Sequence, residues 1–143
     1  MFKLGFMIVF TQGGDVGMER VRIINLTPHE LNIYDNEGKI ILSIPPPPKD
    51  IPIPRVQVRS EIVGEIEADG VRIPVRRIVY GDVENLPPER EGTIYVVSTF
   101  VTLALREKGV ERRDLLSPDT NVDSAVRDSS GRVLGVKYLQ TVW

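Results

Sequence analysis

The sequence predicts an α+β fold that is mainly β: a curved or barrel-like antiparallel sheet with one α-helix packed on it. Three observations lead there. From residue 19 onward, short runs of β-branched residues alternate with polar ones and are cut by Gly, Pro, Asn and Asp, as half-buried strands are. Tight-turn sequences separate the runs, the sharpest being Asp69-Gly70. One stretch alone, 99–108, carries apolar residues at helical spacing.

In chain order, "MFKLGFMIVF" is too short to span a bilayer, and no small-residue cleavage site precedes "TQGGDVG". Residues 1–17 are therefore read as an N-terminal extension. Translation can begin at Met1 or at Met18, because Gly13-Gly14-Asp15 can be encoded as a ribosome-binding sequence at a workable distance from Met18. If ordered, the extension adds an edge strand or packs on a neighbouring chain. Residues 18–143 are read as a single β-rich domain, a length that can bury its own core.

"RVRIINL", "ELNIYD" and "KIILSI" place Val21, Ile23, Leu31 and Ile33 on one face of a three-strand meander, with Asn36-Glu37-Gly38 as a turn. Pro45–Pro48 cannot donate to a ladder and is expected to form an extended connector between two parts of the sheet. Alternation then resumes. Val56 and Val58 are expected to point inward, followed by Ile62 and Ile66, with Val71, Ile73 and Val75 on the strand returning from Asp69-Gly70. Arginines 55, 59, 72, 76 and 77 are expected to be neutralised across strands by Glu61, Glu65 and Glu67. "TIYVVS" is nearly continuous in its apolar character, as a strand buried on both faces is. Ser98 can cap a helix over Thr99–Lys108 that stops at Gly109. Residues 112–128 read as a long polar loop, and the tail reads as a hairpin turning at Ser129-Ser130-Gly131.

Composition narrows the function classes. With 18 basic and 20 acidic residues there is no field to gather nucleic acid or an anionic membrane, and no nucleic-acid or membrane partner is expected. The absence of cysteine excludes disulfides, thiol catalysis and cysteine metal sites, and fits a cytoplasmic location. Eleven prolines and an excess of Arg over Lys lean towards a heat-adapted protein.

His29, the one histidine, sits in "INLTPHELNIYD". A catalytic or metal-bound imidazole needs partners, and only Glu30 and Asp35 are nearby in sequence. Thr27 and His29 equally suit a tight turn whose geometry Pro28 sets. In 112–128, Asp119, Asn121 and Asp123 imitate the opening of a calcium loop. Ser124 and Ser130 then stand where that loop needs Gly and Glu, and no metal or other cofactor is expected. The same stretch can be ordered by Asp114, Asp119 and Asp128 pairing with Arg112, Arg113 and Arg127.

"INLTPHELNIYD", "EGTIYVVSTFV", "RRDLLSPDT" and "AVRDSSGRVLGVKYLQ", in that order, resemble a family of small uncharacterised proteins of tailed phages, prophages and some archaeal and bacterial genomes. Its pattern is N-L-T-P-H, Y-[IV]-V-S, R-x-D-[LV]-[LV]-x-P and R-D-x-x-G-x-[IV]-x-G-V. The resemblance implies no activity. It marks Asn25, Thr27, His29, Ser98, Arg113, Asp114, Pro118, Asp119, Arg127 and Asp128 as motif positions, and it leaves residues 1–17 outside the pattern.

Two functions follow as expectations. The first is a non-enzymatic accessory or binding domain, of mobile-element origin, that contacts a partner protein or itself through an edge strand or the C-terminal "YLQTVW", where Trp143 suits an interface. The second is a small-molecule or nucleotide-processing enzyme. There His29 is the acid–base group, Asp114 or Asp119 orients it or holds a metal, and Arg127, with Thr27 and Arg113, binds the ligand.

Overall fold

A computed structural model describes the backbone of residues 2–10 and 16–143. Eleven strands and one helix are formed there: β1 Phe2–Phe10, β2 Val16–Asn25, β3 Leu31–Tyr34, β4 Ile40–Ile44, β5 Arg55–Ala68, β6 Val71–Glu84, β7 Thr93–Val96, α1 Thr99–Glu107, β8 Leu115–Pro118, β9 Ala125–Arg127, β10 Val133–Val136 and β11 Leu139–Gln140. The mainly β character and the single helix are as the sequence predicts. The pairing differs, because the strands form three sheets of mixed direction: β1-β2-β7-β8-β11, β4-β3-β10-β9 and the two-stranded β5-β6.

The central strand of the five-stranded sheet is β7, which pairs in parallel with both β2 and β8. This explains its unbroken apolar run. Tyr95 and Val97 face one side, where they pack with Leu26, Val101, Leu105 and Leu115 under the helix. Val96 faces the other, against Leu31 and Ile44 of the four-stranded sheet. The two small cores therefore share one strand, whose successive side chains alternate between them. In β3 and β4, the register Leu31↔Ile44 and Ile33↔Leu42 brings the apolar positions of both strands onto the core face.

β7, α1 and β8 make a β-α-β crossover, the connection that parallel neighbours require. The helix begins as expected, with the Ser98 hydroxyl accepting from the Phe100 N–H, and ends at Lys108, followed by Gly109 at φ 74°. Residues 112–128, expected as a loop, contain β8 and β9 instead. β8 is four residues long and β9 three, too short for alternation to register in sequence. The tail hairpin turns at Asp128–Gly131 as expected, with β9 and β10 antiparallel, while β10 also pairs in parallel with β3. Pro45–Pro48 forms no ladder and leads from β4 towards β5. β1 pairs with β2 along its whole length as the edge strand of the five-stranded sheet.

β5 and β6 build a 14-residue-per-strand arm. Its turn at Asp69-Gly70 has positive φ at both residues, 50° and 77°, as a type I′ turn needs. Among the described residues its base is what is anchored: Val56 and Val83 pack on the helix-side core, and Lys108 lies 3.5 Å from Asp82. None of the arm's residues is fully buried. The expectation that Val58, Ile62, Ile66, Val71 and Ile73 point into a core is therefore corrected: each is 41 to 62% exposed. No helix among the described residues is long and apolar enough to cross a membrane.

Candidate functional site

The NLTPH segment leaves the end of β2 and turns over the seam between the two larger sheets. Asn25, fully buried, organises it. Its Nδ2 donates to the carbonyls of His29 (2.9 Å) and Ile44 (3.0 Å), and its Oδ1 accepts from the Thr27 N–H (3.0 Å) and lies 2.7 Å from Thr27 Oγ1. Both donors and both lone-pair directions of the amide are thereby used. The Thr27 hydroxyl is also 3.0 Å from the His29 carbonyl oxygen, so its single proton is shared between two acceptors. The backbone of His29 is fixed by this network, and its residue stands exposed on the rim.

That rim borders a groove of about 1020 Å³. One lip is Thr27–Asn32; across from it lie Pro118, Thr120 and the start of the helix at Ser98–Phe100, and Val133–Val136 of β10 complete the wall. The root of the arm, Pro54–Val56, forms its far end. NLTPH and the Pro118–Thr120 end of RRDLLSPDT thus share one groove. Phe100, Val133 and Leu134 leave apolar surface in it, each more than a third exposed.

The acidic and basic candidates are placed elsewhere. The Asp114 carboxylate is buried and held by Arg112 through two bonds, Nε to Oδ1 at 2.8 Å and Nη2 to Oδ2 at 2.7 Å, while the same guanidinium reaches the Pro87 carbonyl at 2.9 Å. The Asp114 hydrogen bond, opposed by desolvation, raises the Arg112 pKa further above its ordinary range. Asp119 accepts the Asn121 N–H in a local turn. Arg113 bonds Glu111 and lies over the Trp143 ring at 5.9 Å. Arg127 donates to the Gly131 carbonyl at 2.6 Å. Thr27 and His29 line the groove together; Arg113, Asp114, Asp119 and Arg127 do not line it. Trp143, 45% exposed, is partly covered by its own chain in a smaller pocket beside the helix C-terminus. Among the described residues, no three His, Asp or Glu side chains converge as metal ligands do.

Two features escaped the sequence. The organising role of Asn25 became visible only once Ile44, nineteen residues away, was seen to be its partner. The arm carries the larger unassigned surface. Directly paired residues share a face, so the register sorts it. Near the base, one face carries Val58/Tyr80, Ser60/Ile78 and Ile62/Arg76. A bulge at Val63 then inserts one residue into β5 and reverses its phase. Beyond it the apolar pairs Gly64/Val75, Ile66/Ile73 and Ala68/Val71 occupy the opposite face, and Glu65/Pro74 and Glu67/Arg72 take the first. Glu61 bonds Arg77 Nε at 2.7 Å, with Arg59 also near it at 3.4 Å. The Arg77 hydrogen bond and charge hold the Glu61 carboxyl below the ordinary carboxylate range.

Comparison with known proteins adds nothing to these observations: no family model, no curated protein and no solved structure matches the chain.

Proposed function

We propose that the protein is a non-enzymatic binding module that works through protein–protein contact, with the β5–β6 arm as its principal contact element. One observation carries this reading: the distal arm has an uncharged face in which Ile66, Val71 and Ile73 are 57, 60 and 49% exposed. A lone two-stranded ribbon is marginal in water and gains its stability when an apolar face is covered, and contiguous apolar patches of this kind mark association sites.

The disposition of the enzyme candidates supports the same reading. Asp114 is held by Arg112, Asp119 by its own turn and Arg127 on the Gly131 carbonyl, so none of the three joins His29 along the groove as the partners of an acid–base group would. The groove opens at the root of the arm, with Pro54, Arg55 and Val56 in its lining.

The test is cross-linking in the cells that make the protein, followed by mass analysis of the products. Arm residues 62–75 of the natural chain are expected to link to another polypeptide, and the substitution Ile66→Lys/Ile73→Lys is expected to abolish those links. Arm links confined to single chains would refute the reading.

A further inference from the structure

Resting on that reading, we infer that the distal apolar face of the arm is covered by the same face of a second copy of this chain, packed across a two-fold axis. The face itself describes its partner. Gly64, Ile66, Ala68, Val71, Ile73 and Val75 carry no charge and no side-chain hydrogen-bonding group. The ion pairs of the arm, Glu61 with Arg77 and Arg59 and Glu65 with Arg72 at 3.9 Å, involve none of these residues. Nothing in it calls for a partner of opposite charge. What fits is a second uncharged ribbon of equal width.

The relief of the face is self-complementary. The Ile66/Ile73 rung stands between the Gly64/Val75 and Ala68/Val71 rungs, so on the β5 side Ile66 rises between two small residues. A Cβ built on Gly64 would meet nothing within 4 Å, so that rung leaves a notch open to solvent. With the axis passing between rungs, Ile66 of each copy enters the notch at Gly64 of the other and Ile73 packs beside Val75, as side chains interdigitate between sheets stacked about 10 Å apart.

Edge-to-edge extension is disfavoured by the same strands. Pro74 offers no N–H along β6, and the Val63 bulge interrupts the line of β5. The contact is therefore face to face. Each distal face supplies on the order of 400 Å², about half the share of one partner in a standard interface. The association is accordingly reversible, with a dissociation constant on the order of micromolar.

The experiment uses the purified full chain. Sedimentation equilibrium between about 1 and 200 µM is expected to move the mass from 16.1 kDa towards twice that value. Ile66→Lys/Ile73→Lys is expected to stay monomeric with an unchanged circular dichroism spectrum. Because the chain has no cysteine, Ile73→Cys provides a single thiol on the apolar face and Arg72→Cys one on the ionic face. A bis-maleimide spanning about 10 Å, the spacing of packed sheets, is expected to cross-link the first in high yield and the second at least fivefold less. A natural chain that remains monomeric throughout, or equal yields from the two thiols, would overturn the inference. If arm-dependent links to a different polypeptide are then still found in cells, self-pairing falls and the binding-module reading stands. If neither is found, both fall.

Discussion

Replacing Asn25 with Ala tests whether one buried amide holds the NLTPH turn and ties the two sheets together. The substitution removes two N–H donors and one oxygen that accepts twice. Of the groups left behind, the Ile44 carbonyl and the Thr27 N–H bond Asn25 in buried surroundings, and the His29 carbonyl in partly buried ones. A buried backbone group without a partner costs roughly 1–3 kcal/mol, and a partly exposed one less because water replaces the bond. Two buried groups at about 1.5 kcal/mol each sum to about 3 kcal/mol, and the His29 carbonyl keeps its bond from the Thr27 hydroxyl. Thr27→Val, which removes only the hydroxyl, should cost about 1 kcal/mol. In urea denaturation the Asn25→Ala midpoint should fall by about 1.5 M at an unchanged slope, taking a slope of about 2 kcal/mol per molar. A loss below about 1 kcal/mol, or one no larger than that of Thr27→Val, would refute the reasoning.

Arg112→Ala should destabilise by about 3 kcal/mol, because it strands a buried carboxylate. Arg112→Met/Asp114→Leu should recover more than half of that loss, and denaturation midpoints decide between the two. Gly135→Ala should cost about 1–3 kcal/mol in thermal or chemical melts, since a Cβ there would run into the Asn32 carbonyl and the Tyr34 ring. A neutral outcome would mean that β10 and β3 do not approach so closely. The Asp128 carboxyl is held below its ordinary range, chiefly by the Ser130 hydroxyl and then by backbone N–H groups at Arg132, Ser130 and Gly131. Its folded value lies below its unfolded one, so its contribution is full above the unfolded value and is lost as pH falls through the folded one. A carboxyl-carbon NMR titration should therefore place Asp128 below a free aspartate, and an ordinary midpoint would contradict the turn geometry.

Where a residue's role depends on near neighbours, the sequence revealed it. Ser98 and Gly109 bracket the helix within one local hydrogen-bond pattern. Asp69-Gly70 determines its own turn, and the two-sided burial of β7 appears as an unbroken apolar run. Partner choice was hidden. β8 finds β7 in parallel because the helix carries the chain over, and four residues such as Leu115–Pro118 contain too few side chains to announce a strand. In the arm, Val71, Ile73 and Val75 alternate in one phase and Ile78 and Tyr80 in the other, with Arg76-Arg77 at the break. That change of phase marks an opposing bulge, but it reads as simple continuation until the register with Ile62 and Gly64 is known. For the site, NLTPH and Pro118–Thr120 were legible as separate segments, and their shared groove was not. Of the pairs expected in 112–128, Asp114 with Arg112 forms, two residues apart on one short approach to β8, whereas Arg113 turns to Glu111 and Arg127 to the Gly131 carbonyl.

The account depends most on the distal arm being open in a single chain and covered in the associated one. Amide hydrogen exchange, followed by mass spectrometry at about 1 and 200 µM on either side of the micromolar association, reads this directly. Peptides covering 60–77 should exchange quickly at the low concentration and at least tenfold more slowly at the high one, while β7 and α1 remain equally protected at both. Arm protection that is the same at both concentrations would contradict the account, whether it is uniformly high or uniformly low.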